Sequence, residues 1–146
     1  MFKKLNLLLI VLFILSPKII FSQSEEEIII KTVQQFFDGM SAADTVLSSK
    51  VLLHEGQFFS IRGDSTNIKI GRTLHETYIK GLTESKVQYK EVMHDPKVFI
   101  HNRIAIVWTN YEFYRDGKLS HGGVDAFSLI KTTDGWKIAG TIYTVE

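Results

Sequence analysis

The sequence predicts a single α+β domain in which helices pack on one face of a curved antiparallel sheet. In the first half, apolar residues recur in segments at helical spacing, whereas from residue 86 to the end apolar and polar residues alternate as they do in strands. Asp-Gly pairs at 116–117 and 134–135 interrupt the alternating half, and each is typical of a tight hairpin turn. The chain has 146 residues, which is enough for one domain.

Residues 1–22 or 1–23 are predicted to form a secretory signal peptide. Two lysines precede an almost wholly apolar run, Leu5–Leu15, and Ser22 provides a small residue for cleavage. The run is too short and wrongly flanked for a stable membrane span. The alternative is an uncleaved N-terminal anchor, because Ile19–Phe21 extends the apolar run. We expect an exported protein, periplasmic or extracellular, whose domain comprises residues 24–146.

Composition limits the partners of the mature chain. Cleavage after residue 23 removes three of the 17 basic residues and leaves 14 against 16 acidic ones, a formal charge of −2. That balance favours neither nucleic acid nor a membrane surface as a partner. The chain has no cysteine, so it cannot form a disulfide, a thiol nucleophile or a thiolate metal site. No histidine pair has the spacing of a metal site, and we expect neither a metal nor a cofactor.

Two helices are predicted at the start of the mature chain. Ser24 and Glu27 form a capping box, and apolar residues continue at helical spacing to about residue 40. A second, short helix is expected within residues 42–50. The acidic residues in the first turn suit the positive end of the first helix dipole.

Extended chain and a third helix follow. Residues 51–70 are expected to be mostly extended, with a turn at residues 63–67. Thr73 and Glu76 then form another capping box, which predicts a helix over residues 73–82. Helices therefore precede most of the sheet along the chain.

The last third of the chain is predicted to be a series of hairpins. Asp95-Pro96 is expected to break the first β segment, and strands over residues 119–131 and 136–145 close the sheet. Side chains alternate along a strand, so each strand should carry one apolar face. The first of these two strands is expected to turn Asp125, Phe127 and Leu129 to one face, and the second Trp136, Ile138 and Ile142.

The order of these elements resembles the nuclear-transport-factor-2-like (NTF2-like) superfamily, near its SnoaL-like polyketide cyclase and small ketosteroid isomerase-like branches. Three segments carry the resemblance: Phe36-Phe37 with Ser41–Asp44, Tyr111-x-Phe113 with its Asp-Gly turn, and Gly135–Ile138. The resemblance implies a cone-shaped sheet that curls around three N-terminal helices and leaves an internal cavity. It also implies a homodimer through the outer sheet face. Members include enzymes, ligand binders and assembly domains, so the fold does not give the function.

The resemblance also implies a set of catalytic residues. Asp125 stands where the steroid isomerases carry a pocket acid on the strand before the last hairpin turn. Glu55 falls near the position of their catalytic base, with His54 beside it. Phe36 stands where those enzymes carry a tyrosine that donates to the oxyanion, so this chain lacks that hydroxyl donor.

Acid and base chemistry is one interpretation of these residues. A carboxyl group among apolar side chains has a raised pKa, so Asp125 could stay protonated and donate to a ligand carbonyl. Glu55 or His54 could then accept a proton, since a pocket does acid and base work with groups whose pKa values differ. The alternative is that Asp125 hydrogen-bonds a backbone group or a tyrosine, and that the His54-Glu55 pair merely ends a strand at the rim.

Three functions remain open from the sequence. The first is binding of a small apolar or aromatic ligand without catalysis, and the second is a cofactor-independent isomerase or cyclase acting on a carbonyl compound. The third is a non-catalytic, homodimerising assembly domain, in which large aromatic side chains would fill the cavity. For the cavity wall we expect these residues: Phe36, Tyr78, Trp108, Tyr111, His121, Phe127, Trp136 and Ile138.

Overall fold

The computed structural model describes residues 23–146, in which three helices pack against one face of a curved six-stranded sheet. The predicted signal peptide lies outside the described residues. Within the described part of the chain, no helix is long and apolar enough to cross a membrane. The helices are α1 (Glu25–Ala42), α2 (Thr45–Val51) and α3 (His75–Leu82). The strands are β1 (Leu52–Arg62), β2 (Lys69–Leu74), β3 (Tyr89–His101), β4 (Ile104–Arg115), β5 (Lys118–Thr132) and β6 (Gly135–Val145).

The first predicted capping box is confirmed. The Ser24 hydroxyl accepts a hydrogen bond from the Glu27 amide at 3.1 Å, and the Glu27 carboxylate accepts one from the Ser24 amide at 3.1 Å. At α2, Asp44 accepts from two backbone amides in the first turn, each at 2.9 Å. Both helices therefore begin at residues whose side chains satisfy the free amides of the first turn.

The second predicted capping box is wrong, because α3 begins two residues later than its sequence suggests. Thr73 belongs to β2, where it pairs with Phe58 of β1, and Leu74 becomes the residue before the helix. No side chain caps this helix. The β1–β2 ladder thus overrides the local helix signal, and Thr73 is exposed in this strand.

The sheet is mixed, which corrects the expected antiparallel sheet. Its order is β2-β1-β6-β5-β4-β3, and every neighbouring pair is antiparallel except β1 and β6, which run parallel. Tight hairpin turns force antiparallel pairing, whereas parallel strands need a long crossover. β1 and β6 are separated by most of the chain, so no turn residue in the sequence reports their relative direction.

The predicted break at Asp95-Pro96 is a β-bulge within one continuous strand. β3 extends through both residues, and its register against β4 shifts between His94 and Lys97. Asp95 has φ of 50°. Proline has no amide hydrogen to donate, and a bulge removes the need for one at that position.

A second bulge decides which residues of β6 face inward. Leu129 pairs with Ile138 and Ser128 pairs with Gly140, so one extra residue of β6 lies between these pairs. The alternation is inverted beyond the bulge, because each strand residue points opposite to its neighbour. Ile142 is therefore 52% exposed on the outer face and does not share the buried face of Trp136 and Ile138.

The core lies between α1 and the inner face of the sheet. Apolar residues of α1 at helical spacing pack on the inner residues of β4, β5 and β6. Trp136 anchors the last hairpin to this helix, since its indole nitrogen donates to Glu25 Oε1 at 2.6 Å. The large apolar side chains buried most completely are Ile29, Val33, Phe37, Val107, Phe127, Leu129 and Ile138.

Candidate functional site

A cavity of about 520 Å³ lies beside this core and opens to solvent. Small-molecule sites in proteins commonly have volumes of a few hundred to about 1,000 Å³. Side chains from α1, α3 and all six strands line it. Its wall is largely apolar and aromatic, and includes Phe36, Met40, Phe58, Tyr78, Leu82, Tyr89, Phe113 and Phe127.

Two carboxyl groups, Asp125 of β5 and Glu91 of β3, face each other in this cavity. Asp125 is 2% exposed. Burial raises the pKa of Asp125 to about 7, and a hydrogen bond from Glu91 opposes this rise. Burial raises the pKa of Glu91 well above its usual range, and the charge of Asp125 and their hydrogen bond raise it further. Glu91 retains some accessible surface, but that surface faces the cavity.

The pair is therefore expected to hold one proton at neutral pH, with Glu91 as the donor and Asp125 as the acceptor. Two carboxylates this close in an apolar environment cannot both ionise readily. The second carboxylate oxygen of Asp125, Oδ2, is buried and has no hydrogen-bond partner within residues 23–146. The pair thus presents one free acceptor, or one donor when both groups are protonated.

Two more buried polar atoms in the cavity wall lack a partner among the described residues: the hydroxyl of Tyr78 and Oγ1 of Thr141. Burial raises the pKa of Tyr78, and the charge of Glu91 raises it further. Ser48 lies near enough to oppose that rise, but the geometry does not make it a hydrogen-bond partner. A buried polar group without a partner costs about 1–3 kcal/mol, so water or a ligand is expected to complete these atoms.

Tyr111 lines the cavity with its ring, but its hydroxyl is already engaged. The hydroxyl donates to the backbone carbonyl of Thr144 in β6 at 2.6 Å. It reaches that strand across β5, where its paired residue is Gly123. A Cβ on Gly123 would lie 2.3 Å from the same carbonyl oxygen, so the missing side chain allows the contact. Tyr111 is therefore a wall residue with no free donor.

Two arginines stand at the opening of the cavity. Arg62 ends β1 and Arg115 ends β4, and both contribute to the wall. Beside them His121 stacks on Phe113, with 4.9 Å between ring centroids. Burial lowers the pKa of His121, and repulsion from both guanidinium groups lowers it further. The imidazole is thus expected to be neutral at neutral pH, and the positive charge of the opening comes from the arginines.

Six of the predicted site residues lie in the cavity wall. Asp125 is at its floor and His121 at its opening, and four aromatic side chains lie between them. The helical residues among them come from α1 and α3, and the others come from β4 and β5. These four aromatic residues are Phe36, Tyr78, Tyr111 and Phe127.

Three predicted wall residues lie elsewhere. Trp136 and Ile138 are buried in the core against α1 and do not line the cavity. Trp108 is 51% exposed on the outer face of the sheet. Its orientation follows from the alternation of β4, where Val107 and Thr109 on either side of it point inward.

The predicted bases, Glu55 and His54, also lie outside the cavity. Both are exposed near the start of β1, within the irregularity in its pairing with β6 between Leu52 and Gln57. The side chains of this strand that line the cavity, Phe58 and Arg62, come after that irregularity. The acid that accompanies Asp125 is instead Glu91. It stands in the sequence between Tyr89 and Met93 at alternating positions, the same signal of an acid on an apolar face that marks Asp125.

A buried histidine, His75, lies behind the cavity wall. Its Nδ1 is 2.7 Å from the carbonyl oxygen of Leu53, and its ring packs on Phe58 with 4.4 Å between centroids. Burial lowers its pKa, so it is expected to be a neutral core residue that donates to that carbonyl. In the part of the chain that the structure describes, no group of three histidine, cysteine or acidic side chains is arranged to hold a metal ion.

Comparison with known proteins identifies the fold. Neither a family model nor a curated protein matches the chain. An NTF2-like protein from Cytophaga hutchinsonii is similar in structure with a TM-score of 0.71 and 15% identity, over 85% of this chain and 100% of that one. An NTF2-like protein with a cystatin-like fold from Novosphingobium aromaticivorans gives a TM-score of 0.65 and 11% identity, over 99% and 90%. An NTF2-like superfamily protein from Salmonella enterica is similar with a TM-score of 0.63 and 15% identity, over 83% of this chain and 89% of that one. The chain therefore has the NTF2-like, cystatin-like fold, as the order of its sequence elements indicated.

Proposed function

We propose that this domain binds a small, largely apolar or aromatic molecule in its cavity. The observation that carries the proposal is an apolar cavity whose lining includes three side chains, of Asp125, Tyr78 and Thr141, that each hold a buried polar atom without a partner. Native proteins rarely leave such atoms unpaired, and a few convergent polar groups in an apolar pocket are typical of a ligand site. A ligand with a carbonyl or hydroxyl group would satisfy them and be held in one orientation.

We place this activity outside the cytoplasm. The support is in the sequence: a basic start, the apolar run Leu5–Leu15 and a small residue before position 23. The absence of cysteine is compatible with an oxidising compartment, because nothing in the chain can form a wrong disulfide.

A second candidate function is proton transfer on a carbonyl compound, as in an isomerase or cyclase. The observation that favours it is the pairing of Glu91 with Asp125, since coupled carboxyl groups with raised pKa values serve as acid and base near neutral pH. Tyr78 lies in the same wall, and the centroids of its ring and the ring of Phe36 are 5.6 Å apart. The hydroxyl of Tyr78 could donate a hydrogen bond to the oxyanion, which Phe36 cannot do because it has no hydroxyl.

The binding proposal can be tested on protein purified from its own host without refolding. Native mass spectrometry should show a retained small molecule. A neutral fluorescent probe, N-phenyl-1-naphthylamine, should also bind to the ligand-free protein, with a rise in fluorescence. Absence of both a retained molecule and probe binding would overturn the proposal.

A matched pair of variants in α3 shows whether the probe occupies the cavity. Thr77 lines the cavity yet is exposed, so Thr77→Trp should fill the opening without disturbing the core. Lys80 lies in the same helix, exposed and outside the cavity wall. Thr77→Trp should lower probe affinity about tenfold or more, a free-energy change of at least about 1.4 kcal/mol, and Lys80→Trp should leave it unchanged. Equal effects of the two variants would place the probe elsewhere.

Asp125→Asn separates binding from catalysis. Asparagine has a similar shape but cannot exchange a proton near neutral pH. In an enzyme this variant should abolish turnover of a carbonyl substrate while the retained ligand still binds. In a binding protein it should change affinity alone, and no carbonyl substrate would be turned over by the unmodified chain.

We also propose that a second copy of the chain covers the outer face of the sheet. Phe99, Ile104, Trp108 and Ile142 are each more than half exposed there. Trp108 and Ile142 are both paired with Ala126 of β5, so the apolar surface is continuous across strands. Large contiguous apolar surfaces of this kind are typical of association sites. Because the cavity is open and Trp108 does not fill it, association would accompany ligand binding.

A further inference from the structure

The cavity has an asymmetric distribution of charge. Its floor carries the carboxyl groups of Glu91 and Asp125, and its opening carries the guanidinium groups of Arg62 and Arg115. The apolar and aromatic wall separates the two ends. An occupant therefore meets opposite electrostatic environments at its two ends.

Neither arginine at the opening is neutralised by a carboxylate. The ion pairs in residues 23–146 are Lys80–Glu76, His94–Glu112 and Lys131–Glu25. Arg115 instead lies over the ring of Tyr89, 5.8 Å from its centroid. That contact holds the guanidinium against the wall and leaves its outer N–H groups free, because a cation over an aromatic face donates no hydrogen bond to it.

Both arginines act on the same small region of the opening. The charge of each arginine lowers the pKa of His121, which stacks on Phe113 in the cavity wall. His121 is expected to be neutral, so it neither adds to this positive field nor cancels it. Two uncompensated guanidinium groups around one apolar opening attract an anion, and their forked donors match a carboxylate.

We propose that the natural occupant is a small organic acid with an apolar body. Its anionic group lies at the opening between Arg62 and Arg115, and its neutral polar end hydrogen-bonds to Asp125 and Thr141 at the floor. This inference rests on the proposed binding function and specifies the ligand class. Charge disfavours the reverse orientation, because an anion at the floor would face the ionised member of the carboxyl pair, which is buried among apolar side chains.

Two probes with the same ring system test the proposal. N-phenyl-1-naphthylamine is neutral, and 1-anilinonaphthalene-8-sulfonate is the same molecule with a sulfonate group. The protein should bind the anionic probe about tenfold or more tightly than the neutral one, and this preference should fall as salt screens the opening. Thr77→Trp should weaken both probes, which assigns both to the cavity and excludes the outer sheet face as their site.

The arginines are tested with a control variant that also removes a positive charge. The double variant Arg62→Gln/Arg115→Gln should lower affinity for the anionic probe about tenfold or more and change that for the neutral probe by about twofold or less. Arg103 precedes β4 at its other end and does not line this cavity, so Arg103→Gln should change neither. Circular dichroism and thermal unfolding check that each variant folds.

The outcomes are distinguishable. Binding of the neutral probe without preference for the anion would overturn the organic-acid proposal and leave the binding function standing. An equal loss in Arg103→Gln would also overturn it, because the preference would then reflect net charge. Failure of both probes to enter the cavity would overturn the organic-acid proposal, and the additional absence of a retained molecule would overturn the binding function.

Discussion

Asp125 and Glu91 are carboxyl groups on the apolar face of strands, and each costs the fold more when ionised than when protonated. The same pattern of an acid between large apolar residues at alternating positions marks both in the sequence. Only Asp125 is singled out there, because resemblance to the steroid isomerases directs attention to Glu55 as its partner. Which acid meets Asp125 depends on the register of β3, β4 and β5, which no single strand reveals.

Replacing Asp125 with Asn should flatten the dependence of stability on pH. Burial raises the pKa of Asp125 from its ordinary 3.8 to about 7, so the folded protein binds the proton more tightly than the unfolded chain. This contribution to the free energy of unfolding is complete below about pH 4 and is lost as pH rises through 7, with a slope of about 1.4 kcal/mol per pH unit. Denaturant unfolding from pH 4 to 8 measures it. An equally steep decline in Asp125→Asn would contradict the assignment.

Replacing Tyr111 with Phe should destabilise the fold by about 1–2 kcal/mol, since it removes the hydrogen bond that the hydroxyl donates to the Thr144 carbonyl. Tyr114 provides the control. Its hydroxyl bonds the Glu112 side chain at the surface, so Tyr114→Phe should cost less than about 1 kcal/mol. Thermal unfolding compares the two. Equal costs would show that the contact across β5 contributes nothing specific.

At the scale of elements, β5 is organised by a residue without a side chain. Gly123 lets Tyr111 pass over β5 to reach β6, and its φ of 155° is one that other residues rarely adopt. The local sequence around Gly123 does not predict this close approach, because a glycine in a strand can equally indicate a bulge. The close approach exists only once three strands are assembled.

Two glycine-to-alanine changes should have opposite signs. Gly123→Ala places a Cβ 2.3 Å from the Thr144 carbonyl oxygen, which is backbone and cannot move cheaply, so a loss of about 2 kcal/mol or more is expected. Gly81 lies in α3 with nothing within 4 Å of an added Cβ, so Gly81→Ala should stabilise the protein by up to about 1 kcal/mol. Chemical denaturation measures both. A neutral Gly123→Ala would refute the close approach.

At the scale of the whole molecule, one sheet serves two purposes through its two faces. The inner face builds the core and the cavity, and the outer face carries an apolar surface that includes Trp108. The alternation of β4 assigns each residue to one of these faces. A substitution of Trp108 therefore tests association without changing the cavity.

Trp108→Lys should convert a dimer into a monomer. The change removes apolar contact with a second copy and brings the lysine charges of the two copies together, where they repel each other. Its cost to the fold should be small, because the indole is 51% exposed. Val46 is 64% exposed on α2, away from the sheet, and Val46→Lys should leave the oligomeric state unchanged. Sedimentation velocity measures the mass of each. A monomeric parent protein at micromolar concentration would contradict the proposed association.

By itself the sequence determined what depends on neighbours along the chain. The capping box at Ser24, the hairpin turns and the burial of Asp125 with Phe127 all follow from local spacing, and together they define the α+β class. Only the tertiary structure decided the parallel pairing of β1 with β6, the pairing of Asp125 with Glu91 and the outward position of Trp108. These depend on the register between distant strands, and one extra residue in a bulge moves every later side chain to the opposite face.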